Sequence, residues 1–326
     1  MHTAQRCIAT LLITSLAVCV NATRISVADE SDLPPSHSVE PELYATGFEF
    51  AEGPTFDRDG NLFVVNYRGN GNIGQIAADG TASVWCVLDA LAPIEGQRSQ
   101  ANGLKVDSEG RLVVADAGGG RLLRVSADGK SAAVLADRWN GTRFNSINDV
   151  ALDTKGNIYF SHPGGSNAEN PIGSVYRFDI STNAVTRLAT DLAFPNGLAV
   201  TVDQQHLCVG ESSRYQVMIY DLVDGRAENG RVLIEFPRQD EGDIRGGPFD
   251  PDGMILDEAG RLYVAMWVGG VVNVVDIPTG KLIRQYDAGG LKATNCHFHD
   301  GYLYTTVAAK EAVFRLKLGV NGFTYN

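Results

Sequence analysis

Cysteine is scarce in this 326-residue chain: there are five, and Cys7 and Cys19 lie within the first twenty residues. The other three, Cys86, Cys208 and Cys296, are far apart and odd in number, which excludes a disulfide framework and any zinc-ligand spacing. They read as small buried residues. Positive charge is also in deficit, 27 Lys and Arg against 39 Asp and Glu, for a formal net charge of -12. A surface of that sign is repelled by phosphate backbones, so nucleic acid is excluded as a partner. Beyond residue 20 no apolar run is long enough to span a membrane. Helical periodicity is missing as well, and apolar residues alternate between turn clusters instead.

The one apolar run stands at the start. Arg6 precedes fourteen apolar-rich residues, Cys7 to Val20, a length that suits the core of an export signal rather than a membrane span. Residues 1–28 are therefore expected to be a signal peptide, cut after Ala22 or Ala28, with no stable membrane insertion after cleavage. Residues 29–40, rich in Pro, Ser and acid, read as a flexible leader. The remainder, 41–326, is expected to be one exported domain, periplasmic or extracellular.

That domain is a repeat. Asp-x-x-Gly followed by alternating apolar residues recurs as DRDGNLFVV from Asp57, DSEGRLVVA from Asp107, DTKGNIYFS from Asp153 and DEAGRLYVA from Asp257. Degenerate copies begin at Asp203 (DQQHLCVG) and His299 (HDGYLYTTV). Each is a turn between two strands, and second hairpins follow, as at RLLRVSADG from Arg121 and VVNVVDIPTG from Val271. Six units of four short strands, with a period of roughly 45–50 residues, predict an all-β, six-bladed β-propeller with four-stranded antiparallel blades. The strand around Leu43 and Tyr44 is expected to close the last blade.

Five residues before the turn stands an oxygen-bearing side chain: Glu52, Asn102, Asn148 and Asp252 before their aspartates, and Asn295 before Asp300. In the fourth unit Asn196 leads Asp203 by seven. Asn and Asp at strand starts also satisfy turn backbones, but turns do not require the same offset each time. On a propeller these six begin the innermost strands and meet at one mouth of the axis. Four amides and two carboxylates, hard oxygens without His or Cys, suit a central metal site for a divalent cation, Ca²⁺ above all. Zn²⁺ or Mn²⁺ are substitutes to test. Glu52, Asn148, Asn196 and Asp252 supply four ligands and leave positions open for water and substrate.

RFNSINDVALDTKGNIYFSHPGG from Arg143 resembles the bacterial gluconolactonases, in which an Asn-Ser-Pro-Asn-Asp motif precedes a strand ending in Thr-Asp-Pro. Glu52-Gly53-Pro54, Phe194-Pro195-Asn196-Gly197-Leu198 and Pro251-Asp252-Gly253-Met254 are similar to blade-start motifs of the same family, which includes regucalcin and the staphylococcal lactonases. The resemblance implies a calcium-dependent hydrolase opening sugar lactones, with metal ligands at Glu52, Asn148, Asn196 and Asp252 and Asp252 as general base or nucleophile. Ile147 replaces the usual Pro, His162 stands where Asp is common, and Ser146 where regucalcin carries a substrate-binding Arg. Asn295-Cys296-His297-Phe298 resembles the segment of squid-type diisopropylfluorophosphatase whose His binds a second calcium, which makes His297 a candidate second-metal residue, although Ile255 takes the position of its partner Asp.

Strand ends at Asp116, His162, Glu211-Ser212 and Trp267, and the long connections from Ile94 and Arg238, are expected to wall the pocket. Asn102, His162, Trp267 and Asn295 are the candidate substrate contacts. His162 is either a hydrogen-bond donor to substrate or a solvated loop histidine, and Trp267 either stacks on a sugar face or packs a strand end. A related ester or phosphotriester hydrolase, and a non-catalytic exported propeller that binds sugars or proteins, remain as alternatives.

Overall fold

The computed structural model describes residues 32–69, 71–237 and 250–325. The expected signal peptide and the connection from Arg238 to Gly247 lie outside the described residues.

Each Asp-x-x-Gly copy makes its turn by the same side-chain device. The Asp153 carboxylate accepts the backbone N–H of Lys155 and Asn157, each at 2.9 Å, and Gly156 takes the positive φ (80°) that closes the turn. Asp57 and Asp107 repeat this, taking N–H groups two and four residues on. The flanking apolar residues then alternate along antiparallel strands, and six four-stranded sheets result.

Their innermost strands are Phe48–Phe56, Ala101–Val106, Val150–Leu152, Pro195–Val200, Pro251–Leu256 and Ala293–His299. Each touches the next in that order and the last touches the first, so the sheets stand radially as the blades of a six-bladed propeller. The core lies between blades. Ala199 and Cys208 of the fourth pack with Met254 and Val264 of the fifth, for example. A fully buried Val or Leu in such a layer contributes about 1.5–3 kcal/mol. Cys86, Cys208 and Cys296 are free thiols buried in these layers, and burial pushes each up to about 12.

The amino-terminal strand closes the last blade, as expected. Glu42–Thr46 pairs antiparallel with Ala312–Lys317, Glu42 opposite Arg315, and those two side chains form an ion pair at 3.0 Å. Residues 32–40, expected to be a flexible leader, are instead docked along the fifth blade. Leu33 is buried in the apolar layer, the Tyr286 hydroxyl donates to the Pro34 carbonyl at 2.7 Å, and Asp32 forms a forked pair with Arg261. The physical reason is the outer edge of that blade. His37 N–H donates to Gln285 O and Gln285 N–H to Ser36 Oγ, so edge groups that would face water find partners. No helix among the described residues is long and apolar enough to cross a membrane.

Candidate active site

One end of the axis opens into a cavity of about 420 Å³ lined by Glu52, Asn102, Asn148, Asn196 and Asp252, five of the six residues picked by their offset from the turns. They converge because the first strands nearly touch there. A side-chain carbon on Gly197 would lie 2.3 Å from the Asp252 carbonyl oxygen, and one on Gly253 would lie 2.0 Å from Asn295 Cγ. Glycine therefore follows the ring residue in four repeats, at Gly53, Gly103, Gly197 and Gly253.

The sixth residue, Asn295, does not line the cavity, so it is not placed as a substrate contact. It is buried beneath, where its amide N–H lies 3.3 Å from Asp149 Oδ2 and its Oδ1 accepts the Cys296 N–H. Asp149 is a buried third carboxylate that the offset rule did not find. Its chain neighbour Asn148 carried the signal. The clue available was the break in the glycine pattern, Asp149 standing where four other repeats have Gly.

The electrostatics are those of acids crowded out of water. Burial, then the Asp149 charge, pushes Glu52 up to about 8, against the pull of the Gly53 N–H (2.7 Å), Asn295 and Lys105. Asp252 is raised well above the carboxylate range by burial, then by Glu52, Asp149 and Asp250. Burial likewise raises Asp149, with Lys105 as the largest opposing influence. Three such carboxyls cannot all ionise in a low dielectric without a cation. Asn148 Oδ1 is buried with no hydrogen-bond partner among the described residues, a cost of about 1–3 kcal/mol unless a cation or a hydrogen-bond donor meets it. Among the described residues no three His, Cys, Asp or Glu side chains form a metal cage by themselves. The donor set here mixes amide with carboxylate oxygens, and it fits a hard divalent cation.

Above these oxygens the wall is aromatic. Phe50, Phe194, Tyr215 and Trp267 line the cavity with Ser212, Ser213 and Asp250. The Trp267 ring lies 5.5 Å from that of Phe50 and under the Lys292 ammonium. Ser212 Oγ donates to the Pro251 carbonyl at 2.6 Å and accepts from Asn196 Nδ2 at 3.3 Å, which orients that amide. Phe50, Phe194 and Asp250 were missed because they precede the ring residues in irregular or bulged backbone. His162 is not in the cavity lining. It is turned away, its Nε2 accepting the Asn145 N–H at 3.3 Å and its ring packed on Phe144, and burial lowers its pKa. Asp116 and Glu211 also turn from the cavity, to Arg121 and to Arg214. His297 is pushed down to about 3 by burial, then by the Lys105 charge, and its Nδ1 lies 3.0 Å from the Phe298 carbonyl oxygen.

The model of the SMP-30/Gluconolactonase/LRE-like region matches residues 50–309. The chain belongs to this family. A gluconolactonase of Zymomonas mobilis is 27% identical over 294 residues, covering 85% of this chain and 80% of that protein. The diisopropyl-fluorophosphatase of Loligo vulgaris is 28% identical over 295 residues, covering 83% of this chain and 90% of its own. Among solved structures, a calcium-binding regucalcin of Agrobacterium tumefaciens superposes with a TM-score of 0.72 at 19% identity, covering 89% of this chain and 98% of that one, a likeness of fold. A gluconolactonase and a diisopropyl-fluorophosphatase thus both stand among the relatives of this chain.

Proposed function

We propose that this protein is an exported, calcium-dependent hydrolase that opens lactones, with sugar lactones as the leading substrate class. The observation that carries the reading is the axial mouth, where buried carboxylates and an unpartnered amide oxygen face one open cavity. Glu52, Asn148, Asn196 and Asp252 would hold the ion, and Ca²⁺ in that place supplies Lewis-acid polarisation of the ester carbonyl. Export is supported by Arg6 and the apolar run behind it.

The side chains of this protein do the rest. Asp252 takes a proton from the attacking water; beside the ion its carboxylate is a weak base, which suffices for an ester as activated as a lactone. Water oxygen bonds to the acyl carbon, the ring C–O bond breaks, and the proton passes to the departing alkoxide, leaving a hydroxy acid. Asn102 and Ser213 line the cavity and would bond substrate oxygens, while Phe50, Phe194 and Trp267 on the same wall would cover the substrate and limit water. The aromatic wall and the squid relative favour one second reading, cleavage of phosphotriesters at the same mouth.

A pH-stat assay over aldonolactones, simpler lactones and paraoxon, with and without chelator, separates these. Lactone turnover that chelator abolishes supports the proposal. Turnover confined to paraoxon favours the second reading, and silence across the panel in a protein that binds calcium would return the chain to a binding role.

A further inference from the structure

We propose that Asp250 selects polyhydroxylated lactones over plain ones, its carboxylate accepting hydroxyl hydrogens of a sugar ring packed against Trp267. The inference rests on reading the axial mouth as a lactonase, and adds the group that recognises the ring substituents. Asp250 stands just before the innermost strand of the fifth blade, Pro251–Leu256, and Trp267 just after the next strand, Leu262–Met266. Pro251 lies opposite Met266 in that ladder, and the pairing continues one step further, the Asp250 carbonyl accepting the Trp267 N–H at 3.1 Å. Asp250 Oδ1 accepts the following N–H, that of Val268, at 3.0 Å. The end of this hairpin therefore fixes a carboxylate and an indole as cross-strand neighbours, and both line the cavity that holds Glu52 and Asp252.

Only one carboxylate oxygen is used by the turn. An Asn amide oxygen would accept the Val268 N–H as well, so backbone geometry does not account for an acid at this position. Asp250 Oδ2 makes no hydrogen bond or ion pair among the described residues, and the residue is half-buried at the cavity wall. An ionised carboxylate can only accept, so the group missing from Oδ2 is a donor. The indole beside it is oriented by the Phe50 ring, 5.5 Å away with 32° between the planes, and by the Lys292 ammonium 5.4 Å from its centre. The C–H groups of a sugar ring suit the indole, and its hydroxyls suit the carboxylate. A lactone without hydroxyls would cover Asp250 and leave it unpaired, which is how a site built for a hydroxyl rejects an analogue that lacks one. The competing role for an acid here is a further ligand to the ion.

The test compares gluconolactone with δ-valerolactone, the same ring without hydroxyls, at saturating Ca²⁺ in wild type, Asp250→Asn and Asp250→Ala. Whatever a substitution does to the ion or to the attacking water reaches both lactones and cancels in the ratio of their kcat/KM. Asp250→Asn keeps an acceptor for the Val268 N–H, and should cut the preference for the sugar lactone by about tenfold or more, chiefly through its KM. Asp250→Ala should cut it at least as far. A ratio that moves by less than about threefold in both variants would overturn the proposal. So would parallel loss of both lactones together with Ca²⁺ binding, the mark of an ion ligand. Wild type that opens neither lactone would remove the lactonase reading instead, a result distinct from a working site with an unchanged ratio. Binding of anhydroglucitol, which has the ring and hydroxyls without the carbonyl, then decides on Asp250, read by tryptophan fluorescence. Affinity weakened by about tenfold in Asp250→Asn would support the hydroxyl contact, and equal or absent binding would overturn it.

Discussion

Asp252 is the residue on which the proposed chemistry turns, since it lines the cavity at the proposed ion position. Asp252→Asn preserves shape and removes the base. Lactone kcat is expected to fall by about 10²–10⁴-fold with the unfolding temperature in chelator unchanged or raised, and near-normal turnover would remove Asp252 from the mechanism. The same crowding gives a pH dependence of the metal-free fold. Glu52 titrates near 4.5 when unfolded and about 8 when folded, so the folded state binds the proton more tightly. That stabilisation is complete below the unfolded value and is lost as pH rises through the folded one. In chelator the melting temperature is therefore expected to fall between about pH 5 and pH 8, and saturating Ca²⁺ should flatten the slope, because the ion takes the place of the protons. A chelated protein whose melting temperature rises over that interval would show the carboxyls are not held together.

At the scale of strands and turns, the glycines beside the ring decide whether the first strands can close on the axis. Gly197→Ala places a carbon 2.3 Å from the Asp252 carbonyl oxygen, which is backbone and cannot swing aside. Overpacking of this kind costs about 1–3 kcal/mol, and calorimetry should show it together with weakened ion binding, since the shifted strand carries Asp252. Loss of stability with binding intact would mean the ring tolerates a blade moving outward. Much of this was legible in the sequence. The turn aspartates announced each hairpin, and the constant offset from them picked out Glu52, Asn102, Asn148 and Asp252 at the cavity. Asn295 obeyed the same offset yet lies one layer down, where its amide is held by Asp149 Oδ2 and the Cys296 N–H. Lys105 was illegible for a different reason. Nothing in NGLKVD marks it as buried, yet it is 7% exposed on the innermost strand of the second blade. The leader shows the limit of composition, since Leu33 and Asp32 dock on a surface contributed by residues more than two hundred positions away.

For the molecule as a whole, ring closure is the cooperative event, and it joins the two ends of the domain. Glu42–Thr46 completes the sixth blade against Ala312–Lys317, so that blade is built from both ends of the chain. A chain begun at residue 47 leaves Ala312–Lys317 as an open edge, and its melting temperature is expected to drop by about 5 °C or more with a broader calorimetric transition. An unchanged, equally sharp transition would show that closure is not needed for cooperativity. Closure also makes the active mouth, because no single blade carries more than a few of its oxygens. The most direct test of that claim is to strip the protein of metal and titrate Ca²⁺ back while following lactone hydrolysis. Activity should be absent after stripping and should return to saturation at one ion per chain, whereas full hydrolysis by the stripped protein would contradict it.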